Sequence, residues 1–223
     1  MPLIKQELDE WLDGVDYDWL NSSDFIPSEF SMKFMNFIKL VNGSEGESHR
    51  TPPVHLAMLD KITQPSSYIA NLCFRGAAKT TLFGEYLFPY IGVFGEIEGF
   101  GEISGGIYVS DSMDNGVKSL RRNMEFRYIN SQFLQYWIPE ATFTDAYIEF
   151  KNRLGHQFGL KMFGAKTGLR GTKIFGKRPV LCVMDDLVSD DDSKSKASMQ
   201  AIKDTVYKGV NHEIGRASCR ERV

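Results

Sequence analysis

Tyr68-Ile-Ala-Asn-Leu-Cys-Phe-Arg-Gly-Ala-Ala-Lys-Thr-Thr81 is a short apolar stretch that enters a small-residue turn and then Lys79-Thr80. A helix-compatible run, Leu82 to Phe88, follows at once. A loop that cradles the phosphates of a nucleoside triphosphate has this order. Its backbone N–H groups wrap the phosphates, a lysine neutralises the β/γ charge, and a hydroxyl ligates Mg²⁺. The helix behind such a loop aims the positive end of its dipole at the same anion. On this reading Arg75, Gly76, Ala77, Ala78, Lys79, Thr80 and Thr81 contact the nucleotide, and Thr80 also contacts the metal. The usual pattern is G-x-x-x-x-G-K-[ST]; here Cys73 and Ala78 stand at the two glycine positions. A plain strand, turn and helix is the competing reading of the same residues.

Two other segments come close and fail. Gly171 to Lys177 has the spacing, but Arg178 replaces the hydroxyl and Pro179 bars a helix in the required register. Between Gly159 and Thr167 the Lys-Thr pair comes one residue late, and Gly168 and Gly171 break any helix after it. The partner of the first loop lies further on, in Arg178-Pro-Val-Leu-Cys-Val-Met-Asp-Asp-Leu187. Val180 to Met184 is a continuous apolar run, expected as a strand buried on both faces of a parallel sheet. It ends in two carboxylates. Asp185 suits the Mg²⁺ shell, and Asp186 suits the base that orients and deprotonates water, with Asp190 next in line. An acidic pair that caps a strand and faces solvent is the alternative.

At three segments the chain resembles the large subunit of tailed-bacteriophage DNA-packaging terminases. Phe74 to Thr80 is similar to that family's deviant phosphate loop, with an arginine early and a small residue before the lysine. The other two segments are Phe163-Gly-Ala-Lys-Thr-Gly-Leu-Arg-Gly-Thr172 and Arg178-Pro179 with the Asp-Asp strand. The resemblance spans residues 54 to 195 and implies an α/β P-loop NTPase fold of the RecA/ASCE-like kind, with a mostly parallel sheet flanked by helices. It implies ATP and Mg²⁺ as cofactors, and a motor that drives double-stranded viral DNA into a procapsid. Portal protein, terminase small subunit and a homo-oligomeric ring are the implied partners. The host cytoplasm, with a transient stay at the portal, is the implied location. Arg75 takes a charge-stabilising catalytic role. The family places Glu after the strand-terminal Asp, so Asp186 is one methylene short. Another nucleic-acid-stimulated P-loop ATPase of helicase type and a catalytically inactive scaffold are the alternatives.

Composition fits a globular α/β domain with an appendage. The chain has 223 residues, 42% hydrophobic and 13% aromatic, which excludes wholesale disorder. Its three cysteines, Cys73, Cys182 and Cys219, form no pairing framework, which suits a reducing compartment. No apolar run reaches membrane-spanning length, and the four histidines lack zinc-ligand spacing. The net charge of −3 hides a sharp division. Lys151 to Arg178 holds eight Lys/Arg and no Asp or Glu, whereas five of the eight residues from Asp185 to Asp192 are Asp. Charge runs of this kind serve either as a solvated face or as a functional loop. The interleaved glycines favour the loop, with Lys166, Arg170 and Lys173 as DNA-binding or coupling residues.

Periodicity predicts two helices in a helical appendage over residues 1–41, a linker over 42–53, and the ATPase domain over 54–214. A short helix is expected from Val54 to Ile62. The resemblance implies adenine contacts just upstream of the phosphate loop, with Gln64 and Pro65 as the candidates. The phosphate-loop helix is expected to end near Pro89, before a glycine-rich surface loop over 92–106. Ile107 to Ser110 reads as a strand. Asp111 or Ser112 then caps a helix with the stripe Val117, Leu120, Met124 and Tyr128. Tyr147 to Lys151 and His156 to Phe163 read as a hairpin. After Met184 only one pattern remains, helical from Lys196 to Val210, so the domain is expected to be incomplete. No acidic triad of the family's nuclease domain occurs, and residues 215–223 read as a non-native tail.

Overall fold

The computed structural model describes residues 25–43, 51–63, 69–71 and 76–210. The expected first helix, most of the linker, Arg75, Gln64, Pro65 and the tail lie outside these residues. Helix α1 (Glu29–Asn42) starts at Ser28, whose hydroxyl accepts from the Ser31 N–H and donates to Asp60 Oδ1 at 2.6 Å. Asp60 belongs to α2 (Pro53–Ile62), which has proline in its first turn. The apolar stripe of α1 buries Phe30, Phe34 and Phe37 against Tyr90. Tyr90 sits on α3 (Leu87–Phe94), which continues without a break from a π-helical segment, Thr80–Tyr86.

This helix outlasts its expected end. Pro89 lies in the first turn of the α segment, where the register has just changed from π to α and a missing N–H is tolerated. Gly92 stays helical because it passes directly over the sheet: a Cβ there would meet Phe150 Cδ2 at 2.7 Å. Gly95, at φ 78°, ends α3 by donating its N–H to Ile91 at 2.7 Å. The expected glycine-rich loop is therefore partly helix. Its remainder forms the two-residue strands β1 (Glu96–Ile97) and β2 (Gly101–Glu102), then the start of β3 (Gly105–Ser110).

After β3, Ser112 caps a second π-helical segment, Met113–Val117, which leads into α4 (Lys118–Asn130). Val117, Leu120 and Met124 of the expected stripe are buried. Helix α5 (Gln132–Trp137) and strand β4 (Glu140–Phe143) follow, neither of them anticipated. The expected hairpin forms as β5 (Tyr147–Lys151) and β6 (Gln157–Gly164). Beyond β7 (Leu181–Met184) come α6 (Asp190–Ser193), α7 (Lys196–Asp204) and a last π-helical segment, Thr205–Val210.

The strands form one five-stranded sheet in the order β4-β5-β6-β3-β7. β3 pairs in parallel with β6 and β7, whereas β5 pairs antiparallel with β4 and β6. The architecture is α/β with a mixed sheet, not the mostly parallel one expected. The short β5–β6 connection can join only antiparallel neighbours. On one face Tyr108, Phe150, Phe158, Leu160 and Met162 pack into the large core with the helices. The other face carries a smaller cluster of Ile107, Val109, Ala165, Leu169 and Ile202 of α7.

β7 differs from its expectation. It was expected to be buried on both faces, yet Leu181, Cys182 and Val183 are only half-buried and Met184 is 40% exposed. Its pairing is with β3 on one edge, and among the described residues no strand pairs with the other. The strand expected before the phosphate loop is likewise not formed over 69–71. A cavity of about 420 Å³ lies where those residues and the open edge of β7 face each other.

Candidate functional site

The polar end of that cavity gathers Lys79, Thr80, Asp185 and Asp186, and its walls are apolar, with Ile69, Phe83 and Val183 among them. Each polar group arrives there for a local reason. The turn Gly76-Ala77-Ala78 bends through positive φ twice, at Gly76 (92°) and at Ala78 (53°). The second value explains why glycine is favoured there, since a left-handed residue with a Cβ is strained. The bend is braced by Nε2 of His55 on α2, 2.9 Å from the Ala77 carbonyl oxygen. Ala77 is buried while Gly76 and Ala78 are exposed. Lys79 then opens the helix, and Thr80 sits at the start of its π-helical part.

Asp185 enters from β7, where its N–H donates to the Val109 carbonyl at 2.9 Å and so continues the parallel ladder for one residue. The Thr80 hydroxyl donates to Asp185 Oδ2, a contact across 105 residues of sequence. The Tyr108 hydroxyl, from the neighbouring strand, approaches the same oxygen at 3.4 Å. Burial first, and then the Asp185 charge, raise the pKa of Tyr108 well above the usual phenol value, so it remains a donor. Asp186 follows at φ 44°, a left-handed conformation that Asp tolerates better than most residues with a Cβ. The turn at Asp186 ends the strand and leaves the residue lining the cavity. Cys182, half-buried on the same strand, has a thiol whose pKa is pushed by desolvation up to about 12, so it is a poor nucleophile at neutral pH.

Thr80 and Asp185 offer hard oxygen donors side by side, the donor type that Mg²⁺ prefers. Among the described residues no group of three or more His, Cys, Asp or Glu is placed to hold a metal. A site of this kind needs none, because Mg²⁺ keeps several waters and takes one or two protein ligands beside phosphate. Thr81 lies on the helix but is not among the cavity-lining residues. Arg75 lies outside the described residues, and the side chain of Asp190 is likewise not described.

The basic loop is divided. Lys166 forms an ion pair with Asp192, which also accepts from the Ser189 hydroxyl at 2.8 Å. Those bonds, the one from Lys166 above all, hold the Asp192 carboxyl below its usual pKa. Arg170 instead lines a second, shallow cavity, of about 470 Å³, against β5 and β6. Lys173 is exposed beside it. Ile174 and Lys177 bridge around Phe175 and Gly176, both at positive φ, so the rejected Gly171 to Lys177 segment closes as a tight turn and opens no helix. Sequence reasoning missed His55, Tyr108 and Asp192, because each acts through a partner more than twenty residues away in the chain.

Among the described residues no helix is long and apolar enough to cross a membrane. No family model matches the chain, and neither a curated protein nor a solved structure matches it.

Proposed function

We propose that the chain is the ATP-hydrolysing part of a viral DNA-packaging motor of the terminase large-subunit type, built on a P-loop fold. One observation carries the reading: the Thr80 hydroxyl, beside the lysine of the candidate phosphate loop, donates to the strand-terminal Asp185. Two segments that sequence motifs would assign to one Mg²⁺–triphosphate site thus meet in space. When bound there, Mg²⁺ supplies positive charge beside the β- and γ-phosphates.

Lys79 neutralises the β/γ oxygens, and the turn from Gly76 to Ala78 presents backbone N–H groups to them. Asp186 accepts the proton of the water that attacks the γ-phosphorus. The bond from that phosphorus to the β–γ bridging oxygen breaks, leaving ADP and phosphate. Arg75 stabilises charge on the transferring group. Lys166, Arg170 and Lys173 link the nucleotide site to duplex DNA or to a neighbouring subunit of a ring at the portal. The small subunit is a further partner, and the setting is the host cytoplasm.

The test is steady-state ATP turnover by the intact chain, with and without double-stranded DNA. The expected result is Mg²⁺-dependent turnover that rises with DNA and falls by two orders of magnitude or more in Asp186→Asn, about the span of a general base. Turnover that Asp186→Asn leaves unchanged would remove Asp186 from the chemistry. Turnover indifferent to DNA would remove the motor.

A further inference from the structure

The second cavity is used by neither half of the nucleotide site. It lies on the sheet face away from the large core, between the basic loop and the β5–β6 hairpin. Tyr147 and Lys161, which face each other across the β5–β6 ladder, form its floor. Arg170, with Gly168 and Gly171, forms its rim. At Gly168 a Cβ would meet nothing within 4 Å, so the rim leaves the backbone open to approach.

Lys161 is half-buried, and among the described residues neither it nor Arg170 forms an ion pair. Glu149, on this face of the hairpin, accepts from the Tyr147 hydroxyl at 2.8 Å. Burial first, and then that bond, raise the Tyr147 pKa well above the usual phenol value, so it stays protonated. Lys166, another cation of the basic loop, is committed to Asp192. Two cations thus line one groove that has no carboxylate among its lining residues, and one of them is partly withdrawn from water. Such a group gains most from an anion that replaces its lost hydration. The volume, about 470 Å³, exceeds what a single water-filled crevice needs and lies in the range of ligand sites.

We propose that this groove is an anion site in which Lys161 and Arg170 seat a phosphate group of a nucleic-acid backbone. The assignment to a polynucleotide rests on the DNA-motor reading, whereas the anion site itself does not. Free phosphate or a nucleotide carries the same chemistry, so three ligands are compared: a duplex DNA, inorganic phosphate and ATP. Each is titrated against the full chain and its Lys161→Gln, Arg170→Gln and double variants. Lys208→Gln serves as a control, because Lys208 pairs with Asp204 at 3.0 Å, on another element.

Each phosphate contact contributes about 0.9 to the slope of log affinity against log salt. From 50 to 200 mM salt the wild type is then expected to lose about three- to fourfold more duplex affinity than the double variant. Each single variant falls between them, Arg170→Lys retains the wild-type slope, and Lys208→Gln matches the wild type. Equal slopes in wild type and double variant, with matching circular dichroism, would overturn the site. Inorganic phosphate or ATP binding that the double variant loses, with no duplex binding by the wild type, would overturn the polynucleotide assignment. Lys79→Ala keeps the two proposals apart: it should abolish turnover and leave the duplex salt slope unchanged. A wild type that shows the slope difference yet never turns over ATP would sink the motor and keep the groove.

Discussion

Ala78 shows what a departure from a motif costs. Its φ of 53° puts a Cβ where glycine is at ease, at about 1–2 kcal/mol for an L-residue, less the entropy that glycine itself would lose on folding. Ala78→Gly should therefore stabilise the chain by about 1 kcal/mol, and Ala78→Val should destabilise it, both read as shifts in urea midpoint at constant slope. A destabilised glycine variant would mean that the turn is not held in this conformation. Asp192 makes a prediction in pH. Its pKa is lowered in the folded chain by Lys166 and Ser189, so it contributes stability above the unfolded value, near about 3.9. That contribution is lost as pH falls through the lower folded value. The stability gap between wild type and Asp192→Asn should be constant from about pH 5 to 8 and close towards pH 2. A gap that persists undiminished at the lowest pH would show that the residue acts by packing, not by its charge. Residue identities here were legible in the sequence; the strain at Ala78 and the Lys166–Asp192 pair were not, because neither leaves a periodic trace.

The π-helical segment Thr80–Tyr86 is held from outside. Glu85, 6% exposed, accepts from Arg127 Nε at 2.7 Å and from Asn123 at 2.9 Å, both on α4. Arg127 also lies over the Tyr86 ring, 4.2 Å from its centre, and the Tyr86 hydroxyl donates to Asn42 of α1 at 2.7 Å. One cluster thus ties two helices, α1 and α4, to the element that carries Thr80 and that Lys79 opens. Arg127→Met leaves a buried carboxylate with a single amide donor and should cost about 3 kcal/mol in urea unfolding. Adding Glu85→Leu removes the unpaired charge and should recover most of that loss. A double variant as unstable as the single one would show that packing, not the ion pair, holds the segment. Helices such as α1 and α4 were legible because their apolar stripes keep the helical period. The π segments were not, since one extra residue per turn changes no residue type. The extension of α3 past Pro89 was hidden for the same reason, as the register change that accommodates it has no sequence mark.

At the scale of the molecule, the sequence carried β3, β7 and the antiparallel β5–β6 hairpin through their apolar runs, but neither β4 nor the order of the strands. β4, with alternating half-exposed residues, is too short and too polar to announce itself. The open edge of β7 was equally hidden, since edge or interior position depends on neighbours and not on composition. The contact between Thr80 and Asp185, 105 residues apart, is also a whole-molecule feature, and the proposed Mg²⁺–triphosphate site at Lys79, Thr80 and Asp185 rests on it. Calorimetric titration of the intact chain with ATP, with and without Mg²⁺, tests it most directly. Saturable, Mg²⁺-dependent binding is expected, weakened at least about tenfold in Lys79→Ala by the loss of one charge-assisted contact. Asp185→Asn should lose the Mg²⁺ dependence, and Asp186→Asn should bind as the wild type does. Binding of equal strength in wild type and Lys79→Ala, or no Mg²⁺-dependent binding at all, would contradict it.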